Sequence, residues 1–376
     1  MPHPLCVFVP EIGLVSETFI HWDVHELLPG GTVVVADPPP RGDSVRRSPA
    51  WGVGDCPHLV FEPLPSDPPV GPERMAAVAS FLARHEVETV LVEYLDFADR
   101  WFDFLAAQSV RTWIRGHGVD LSARLRESRW RQAYRRYADA AGVIVPSHMA
   151  AQTLAEAGLP ADNVHVVRYS VDLPGLRTAS DGDNMIRCVA VGRLVPKKAP
   201  VLLIDAFRRA ATNDDRLTLD LVGEGPLAND ARQYVDAHRL ADRVRLHGRL
   251  PHADTLALVR SADVFLHHAV TAPDDGDTEG QPLAILEAMA AAVPVVATHH
   301  AGIPEVVDDR RNGRLVPEHD VAGMASTLLH LAANPTERRR LGAAARATIE
   351  ERHTHTVARR TLLRLLSLDT RERIAK

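Results

Sequence analysis

The sequence predicts an α/β protein built from two doubly wound domains with parallel sheets. Three observations predict it. Short apolar runs recur along nearly the whole chain, separated by amphipathic stretches of helical length. The runs are continuous rather than alternating, as expected of strands buried on both faces of a parallel sheet. The chain has 376 residues, about twice the usual domain length, so two domains are expected.

In the first half, strands are expected at 5–9, 32–36, 89–93, 111–115, 141–145 and 164–167, with helices at 18–28, 73–85, 99–107, 123–138 and 148–157. The stretch 37–72 is rich in Pro and Gly and is expected to be an irregular insertion on the first domain. Residues 177–184 are polar and aperiodic, as in an interdomain linker. Second-half strands are expected at 186–191, 217–222, 243–246, 263–266 and 294–297. From His319 onward the pattern is wholly helical. Its last stretch, 357–374, gathers leucines 362, 363, 365, 366 and 368 on one face. The expected domains are 1–176 and 185–356. Facing each other, they would set a cleft at the carboxyl ends of both sheets, where open α/β sheets bind ligands.

Composition narrows the function classes. Apolar residues make up 45%, charged residues 24%, and the net charge is −6. A nucleic-acid partner is not expected, because such proteins carry a basic surplus. Cys6, Cys56 and Cys188 lack metal-ligand spacing, and one would be left over from any disulfide, so a reduced cytoplasmic setting is expected. No signal peptide is expected, because the N-terminus lacks a basic segment before an apolar run. The longest apolar stretch, 283–297, is broken by Glu287 and Pro294 and is too short to span a bilayer. Membrane contact would be peripheral, on the inner face. The stretch holding Arg124, Arg126, Arg129, Trp130, Arg131, Tyr134, Arg135, Arg136 and Tyr137 is read as a solvated helix face, with a surface resting on anionic lipid as the alternative.

Five loops at strand ends carry candidate chemistry. Gly192-Arg193-Leu194-Val195-Pro196-Lys197-Lys198 offers a glycine for close approach and two cations, Arg193 and Lys198, suited to a diphosphate; a solvated basic loop fits equally. Gly223-Glu224-Gly225-Pro226-Leu227 again joins a strand end to a helix N-terminus with free N–H groups. Glu279-Gly280-Gln281-Pro282-Leu283 leads into a helix bearing Glu287, eight positions after Glu279, with Pro282 suited to its first turn. Glu287 lies among Leu283, Ile285, Leu286 and Met289, a costly place for a carboxylate without a partner; a ribose diol would be one. Glu279 would sit at the positive helix end, or simply cap it while Glu287 faces solvent. His117, between Gly116 and Gly118, would be exposed at a strand end and could exchange hydrogen bonds with a sugar hydroxyl. The loop from Pro10 to Ile20 includes Gly13, with Ser16 or Thr18 as a helix cap. The acidic Asp274-Asp275-Gly276-Asp277 is read as a solvated loop rim, so no metal is expected.

Together these motifs resemble the retaining glycosyltransferase family 4, of GT-B fold, densely from about 186 to 320 and more thinly before it. Ala301-Gly302-Ile303-Pro304-Glu305-Val306-Val307 and His117-Gly118-x-Asp120 extend the likeness. The resemblance implies two Rossmann-like domains, an N-terminal acceptor-binding one and a C-terminal donor-binding one, with a closing helix from about 357 to 376 crossing back to the first. It implies that Gly13, Arg193, Lys198 and Glu224 line the donor site, with Arg193 and Lys198 on the diphosphate. Glu279 with the backbone of Gly280, Gln281, Pro282 and Leu283 would hold the donor sugar, Glu287 the ribose, and His117 would lie near the reacting carbon. Gly13 stands alone where many members have two glycines. The Ser16-Glu17-Thr18-Phe19-Ile20 that follows resembles an exopolysaccharide-type subgroup, and Gln281-Pro282 replaces the usual Phe-Gly.

The function expected is sugar transfer from a nucleoside-diphosphate sugar, UDP-linked as first choice, to a hydroxyl of a sugar, lipid-linked or small-molecule acceptor, with retention. Cations and a helix N-terminus would stabilise the departing diphosphate, so no cofactor is expected. An epimerase or phosphorylase of the same fold, and a non-catalytic nucleotide-sugar-binding protein, stay open. The oligomeric state is not legible.

Overall fold

The structure, a computed structural model, describes residues 3–13, 17–38, 52–63, 70–175 and 184–369. The chain divides into two compact units, 1–167 with 358–376, and 168–357. The expected break after residue 176 therefore falls earlier. Residues 168–175 are tied to the second unit by Tyr169 N donating to Gln281 Oε1 (2.8 Å), Val171 N donating to His353 O (2.9 Å) and a bridge between Val171 and Thr354. Of the expected linker, 177–183 lies outside the described residues.

The first unit runs β1 (Leu5–Val9), α1 (Thr18–His25), β2 (Thr32–Ala36), β3 (His58–Val60), α2 (Pro72–Arg84), β4 (Thr89–Glu93), α3 (Leu95–Ala106), β5 (Arg111–Arg115), α4 (Ala123–Arg126), α5 (Ser128–Arg135), β6 (Gly142–Val145), α6 (His148–Glu156) and β7 (Val164–Val166). Its sheet has the order β3-β2-β1-β4-β5-β6-β7, with every described pairing parallel. All residues of β1, β2 and β4 are buried, which is why their sequences read as unbroken apolar runs.

The second unit runs β8 (Ile186–Val191), α7 (Pro200–Ala211), β9 (Leu217–Val222), α8 (Ala228–Ala237), β10 (Val244–Gly248), α9 (His252–Ser261), β11 (Val264–His267), α10 (Leu283–Ala290), β12 (Val295–Thr298), β13 (Arg314–Val316), α11 (Val321–Ala333), α12 (Pro335–Arg352) and α13 (His355–Leu365), the last belonging mostly to the first unit. Its parallel sheet has the order β10-β9-β8-β11-β12-β13. Strand order reverses between β1 and β4 in one sheet and between β8 and β11 in the other. These are the switch points where open sheets admit ligands.

The last helix ends at Leu365, short of the expected 374, and 370–376 lie outside the described residues, but the leucines of this stretch share one buried face as expected. Leu362, Leu366 and Leu368 are buried against Leu5, Val7 and Val34, and Arg359 Nε donates to Leu27 O at 3.0 Å. Each such buried leucine contributes about 2 kcal/mol, which anchors α13 to the first unit.

Four expectations need correction. The stretch 37–72 is not wholly irregular, because His58–Val60 adds an edge strand beside β2. The single helix expected over 123–138 is broken at Glu127, whose ψ of 127° is extended, and closes in a short 3-10 turn at Arg136–Asp139. Thr18 opens α1 rather than capping it; Glu17 holds the cap position without a side-chain bond, and Ser16 lies outside the described residues. The strand at Arg314–Val316 was not expected. The basic stretch also turns inward: Tyr134 and Tyr137 are buried core residues. Arg124 pairs with Asp96 and Arg136 with Asp99 and Asp103, so neither is a free lipid-facing cation. Among the described residues, no helix is long and apolar enough to cross a membrane.

Candidate functional site

In the second unit the β8 and β11 ends border a concavity of about 280 Å³, lined in part by Gly192, Arg193, Lys198, His267 and His268. It lies at the switch point. Arg193 is exposed at its rim. Lys198 closes a 3-10 turn, Pro196–Lys198, and makes an ion pair with Glu279. Burial works against the Glu279 carboxylate, but Lys198, Lys197 and His267 outweigh it and hold its pKa down at about 2. Burial lowers the Lys198 pKa, with Glu279 opposing. His267, 3.9 Å from Glu279, is held down at about 3 by burial and by Lys198, so it is neutral.

Glu279 therefore does not act as a helix cap. The helix begins at Leu283, with Pro282 in the cap position rather than the first turn. What fixes Glu279 is its own loop. Its N–H donates to His300 Nε2 at 3.1 Å, so His300 carries its proton on Nδ1, which donates to Glu318 at 2.7 Å. Lys197, to which the sequence assigned no role, is 5% exposed; its ammonium reaches Thr278 O at 3.0 Å and Asp277 at 2.9 Å. Asp277 is thus no solvated rim residue. It anchors the loop to the Pro196–Lys198 turn. The Gln281 side chain is held within the unit, its Oε1 accepting Tyr169 N, and is 4% exposed. Gly280 sits between the two anchored residues.

The glycines divide by function. A Cβ on Gly223 (φ 146°) would lie 1.9 Å from Gly192 O, and one on Gly225 (φ 157°) would lie 2.5 Å from Leu194 O. These two let the β9 loop pack on the β8 loop. Gly192 has no such constraint: a Cβ there meets only Lys198, at 3.6 Å. Glu224 is exposed, with Arg249 at 3.4 Å. Glu287 has the partner its apolar setting demanded, but it is protein: His252 Nε2 lies 2.8 Å from Oε1.

In the first unit, His117 is not exposed as expected. It is 7% exposed, stacked on Phe19 and edge-on to Tyr94, and its Nε2 lies 2.6 Å from Glu93 Oε2. Asp120 accepts the N–H groups of His117 and Gly118 and fixes the turn. Arg115 pairs with the fully buried Asp23. Burial lowers His117 to about 3, with Arg115 adding to it. Burial raises both Glu93 and Asp23 to about 7, against the pull of Arg115. Sequence spacing gave no sign of Glu93 or Asp23. Gly13 (φ 87°) lines a concavity of the first unit of about 340 Å³ with Glu11, Glu17, His21 and His25. Among the described residues no group of three or more His, Cys, Asp or Glu is placed to hold a metal ion.

Comparison with known proteins adds to this geometry. WcaL of Salmonella typhimurium, named as a colanic acid biosynthesis glycosyltransferase, is 33% identical over 215 residues, 56% of this chain and 53% of WcaL. The chain thus matches about half the length of that relative. A GDP-mannose-dependent phosphatidylinositol monomannoside mannosyltransferase of Mycobacterium tuberculosis is 27% identical over 325 residues, covering 81% of this chain and 80% of the relative. Among solved structures, HepE of Anabaena in complex with UDP superposes with a TM-score of 0.75 at 19% identity, over 98% of this chain and 100% of HepE. The fold is GT-B. Residues 30–173 match the family described as Glycosyltransferase Family 4, and residues 180–348 match Glycosyl transferases group 1. The chain is thus similar in its first half to Glycosyltransferase Family 4 and in its second half to Glycosyl transferases group 1.

Proposed function

We propose that this chain transfers a sugar from a nucleoside-diphosphate sugar to an acceptor hydroxyl, with retention of anomeric configuration and without a metal. The observation that carries this reading is the Lys198–Glu279 pair beside exposed Arg193 at the β8/β11 switch point. The leaving diphosphate gains negative charge as the glycosidic bond breaks. Lys198 is held in place by Glu279 before the reaction and Arg193 stands at the rim, so both cations are placed to stabilise that charge. Glu279, ionised and held by its loop, is suited to accept hydrogen bonds from sugar hydroxyls. Glu287 receives the ribose hydroxyls on its second carboxylate oxygen.

The donor base is uracil as first choice, and relatives named for GDP-mannose make guanine the competing one. The acceptor is a sugar or a lipid-linked sugar, as the polysaccharide and glycolipid names of the relatives suggest. The three free cysteines support a cytoplasmic setting. Arg193→Ala tests the site, because an exposed residue can be removed with the fold intact. Transfer should fall by about a hundredfold or more, as for loss of a charge-stabilising donor. Wild-type turnover by the folded variant would refute the assignment. Donor turnover that needs no added acceptor would refute the transferase reading.

A further inference from the structure

Glu287 stands in α10 between Leu286 and Ala288, both fully buried, with its own side chain 14% exposed. Its Oε1 is taken by His252 Nε2 at 2.8 Å. Among the described residues its other carboxylate oxygen, Oε2, receives no hydrogen bond. His252 is the first residue of α9, directly after the Gly248 turn that accepts the N–H of Gly223. The imidazole thus reaches Glu287 from the side of the glycine loop. Two further facts bear on the charge of His252. The bond to Glu287 raises its pKa, against burial, with Asp172 of the 168–175 segment adding to the rise. Glu287 from α10 and Asp172 are among the charged groups acting on it.

We propose that His252 is a positioning residue for the donor: by occupying Oε1 it fixes the Glu287 carboxylate so that Oε2 faces the ribose hydroxyls. This rests on the reading of Glu287 as the ribose-binding group. A free glutamate in a helix rotates its carboxylate between rotamers; one held at Oε1 offers a single oriented acceptor and loses less freedom on binding. Protonated His252 holds it by a charge-assisted bond, roughly twice as strong as the neutral one. Ribose recognition therefore weakens as the pH rises through the His252 titration.

The test is calorimetric binding of UDP, GDP and inorganic pyrophosphate to the wild type, His252→Gln, His252→Ala and Glu287→Gln, from pH 5.5 to 8.5. For whichever nucleotide binds, wild-type affinity should fall about fivefold over this range relative to His252→Gln, which keeps a neutral donor to Oε1. His252→Ala should bind that nucleotide about tenfold more weakly than wild type at pH 6. Pyrophosphate affinity should be the same in all four proteins, whereas a merely structural defect would weaken both ligands. A His252→Gln profile parallel to wild type, or an equal loss of pyrophosphate binding in His252→Ala, overturns the proposal. If Glu287→Gln binds the nucleotide as tightly as wild type, the ribose reading itself fails. If Glu287→Gln is weakened while both His252 variants match wild type, only the role of His252 fails.

Discussion

Alanine at Gly223 and alanine at Gly192 should do opposite things. At Gly223 the added Cβ would stand 1.9 Å from the carbonyl oxygen of Gly192, a backbone atom that cannot swing aside. The backbone there also has φ 146°, a conformation an L-residue adopts only with strain. Strain of this kind costs about 1–3 kcal/mol, and overpacking about the same again. A total near 3 kcal/mol in a unit of this size lowers melting by roughly 6–12 °C. At Gly192 the Cβ would sit 3.6 Å from Lys198 Cδ and Cε, an ordinary contact, so stability should change by no more than about 0.5 kcal/mol. That methyl, however, occupies the space beside Lys198 where the diphosphate is proposed to lie. Donor KM should rise by about tenfold or more, the cost of a group the ligand must clear. Scanning calorimetry and initial-rate kinetics on both variants decide the matter. Melting of Gly223→Ala within 2 °C of wild type, taking about 2 °C as the least shift 1 kcal/mol produces, would refute the close-packing argument. A wild-type donor KM in Gly192→Ala would refute the placement of the diphosphate.

Two further outcomes follow from the ionisable groups. Glu279→Gln or Lys198→Met alone should each destabilise the second unit by about 3 kcal/mol, because a buried charge loses its partner; the double variant should recover most of that loss in denaturant titration while all three fail in transfer. Since the folded Glu279 carboxyl is held near 2, its contribution is complete above the unfolded value of 4.5 and disappears as pH falls toward 2, a phase that Glu279→Gln should lack in acid unfolding. Glu93 has the opposite sign: raised from 4.5 to about 7, it favours the fold fully below pH 4.5 and loses that contribution as pH rises through 7. Glu93→Gln, which can still bond His117, should therefore shrink the fall in melting temperature between pH 5.5 and pH 8; an unchanged fall would show that burial of Glu93 does not set it.

The buried strands were legible because each was a continuous apolar run, and β1, β2, β4, β5, β8 and β9 fall at the expected residues. Two of the four edge strands, β3 and β13, were not. His58–Val60 has outer residues exposed and Arg314–Val316 buries only its last residue, so neither carries an apolar run to read. The basic stretch looked like one helix because helical periodicity does not register a single extended residue such as Glu127. Gly192 and Gly223 look alike in sequence, each following a strand. Only their neighbours distinguish a glycine needed for packing from one that leaves room.

By itself the sequence determined the α/β class, the two-domain plan, the apolar face of the last helix, the loops at the strand ends where Arg193, Lys198 and Glu279 lie, and the helix that bears Glu287. Those features are local: periodicity, burial pattern and motif order all sit within short windows of chain. Which charge meets which was decided by the tertiary structure. Lys198 meets Glu279 across 81 positions, His252 meets Glu287 across 35, and Glu93 meets His117 across 24. Parallel sheets force this, because every crossover returns the chain to the same edge and brings distant loops together there. A buried carboxylate must find a partner, but spacing along the chain says only that it needs one.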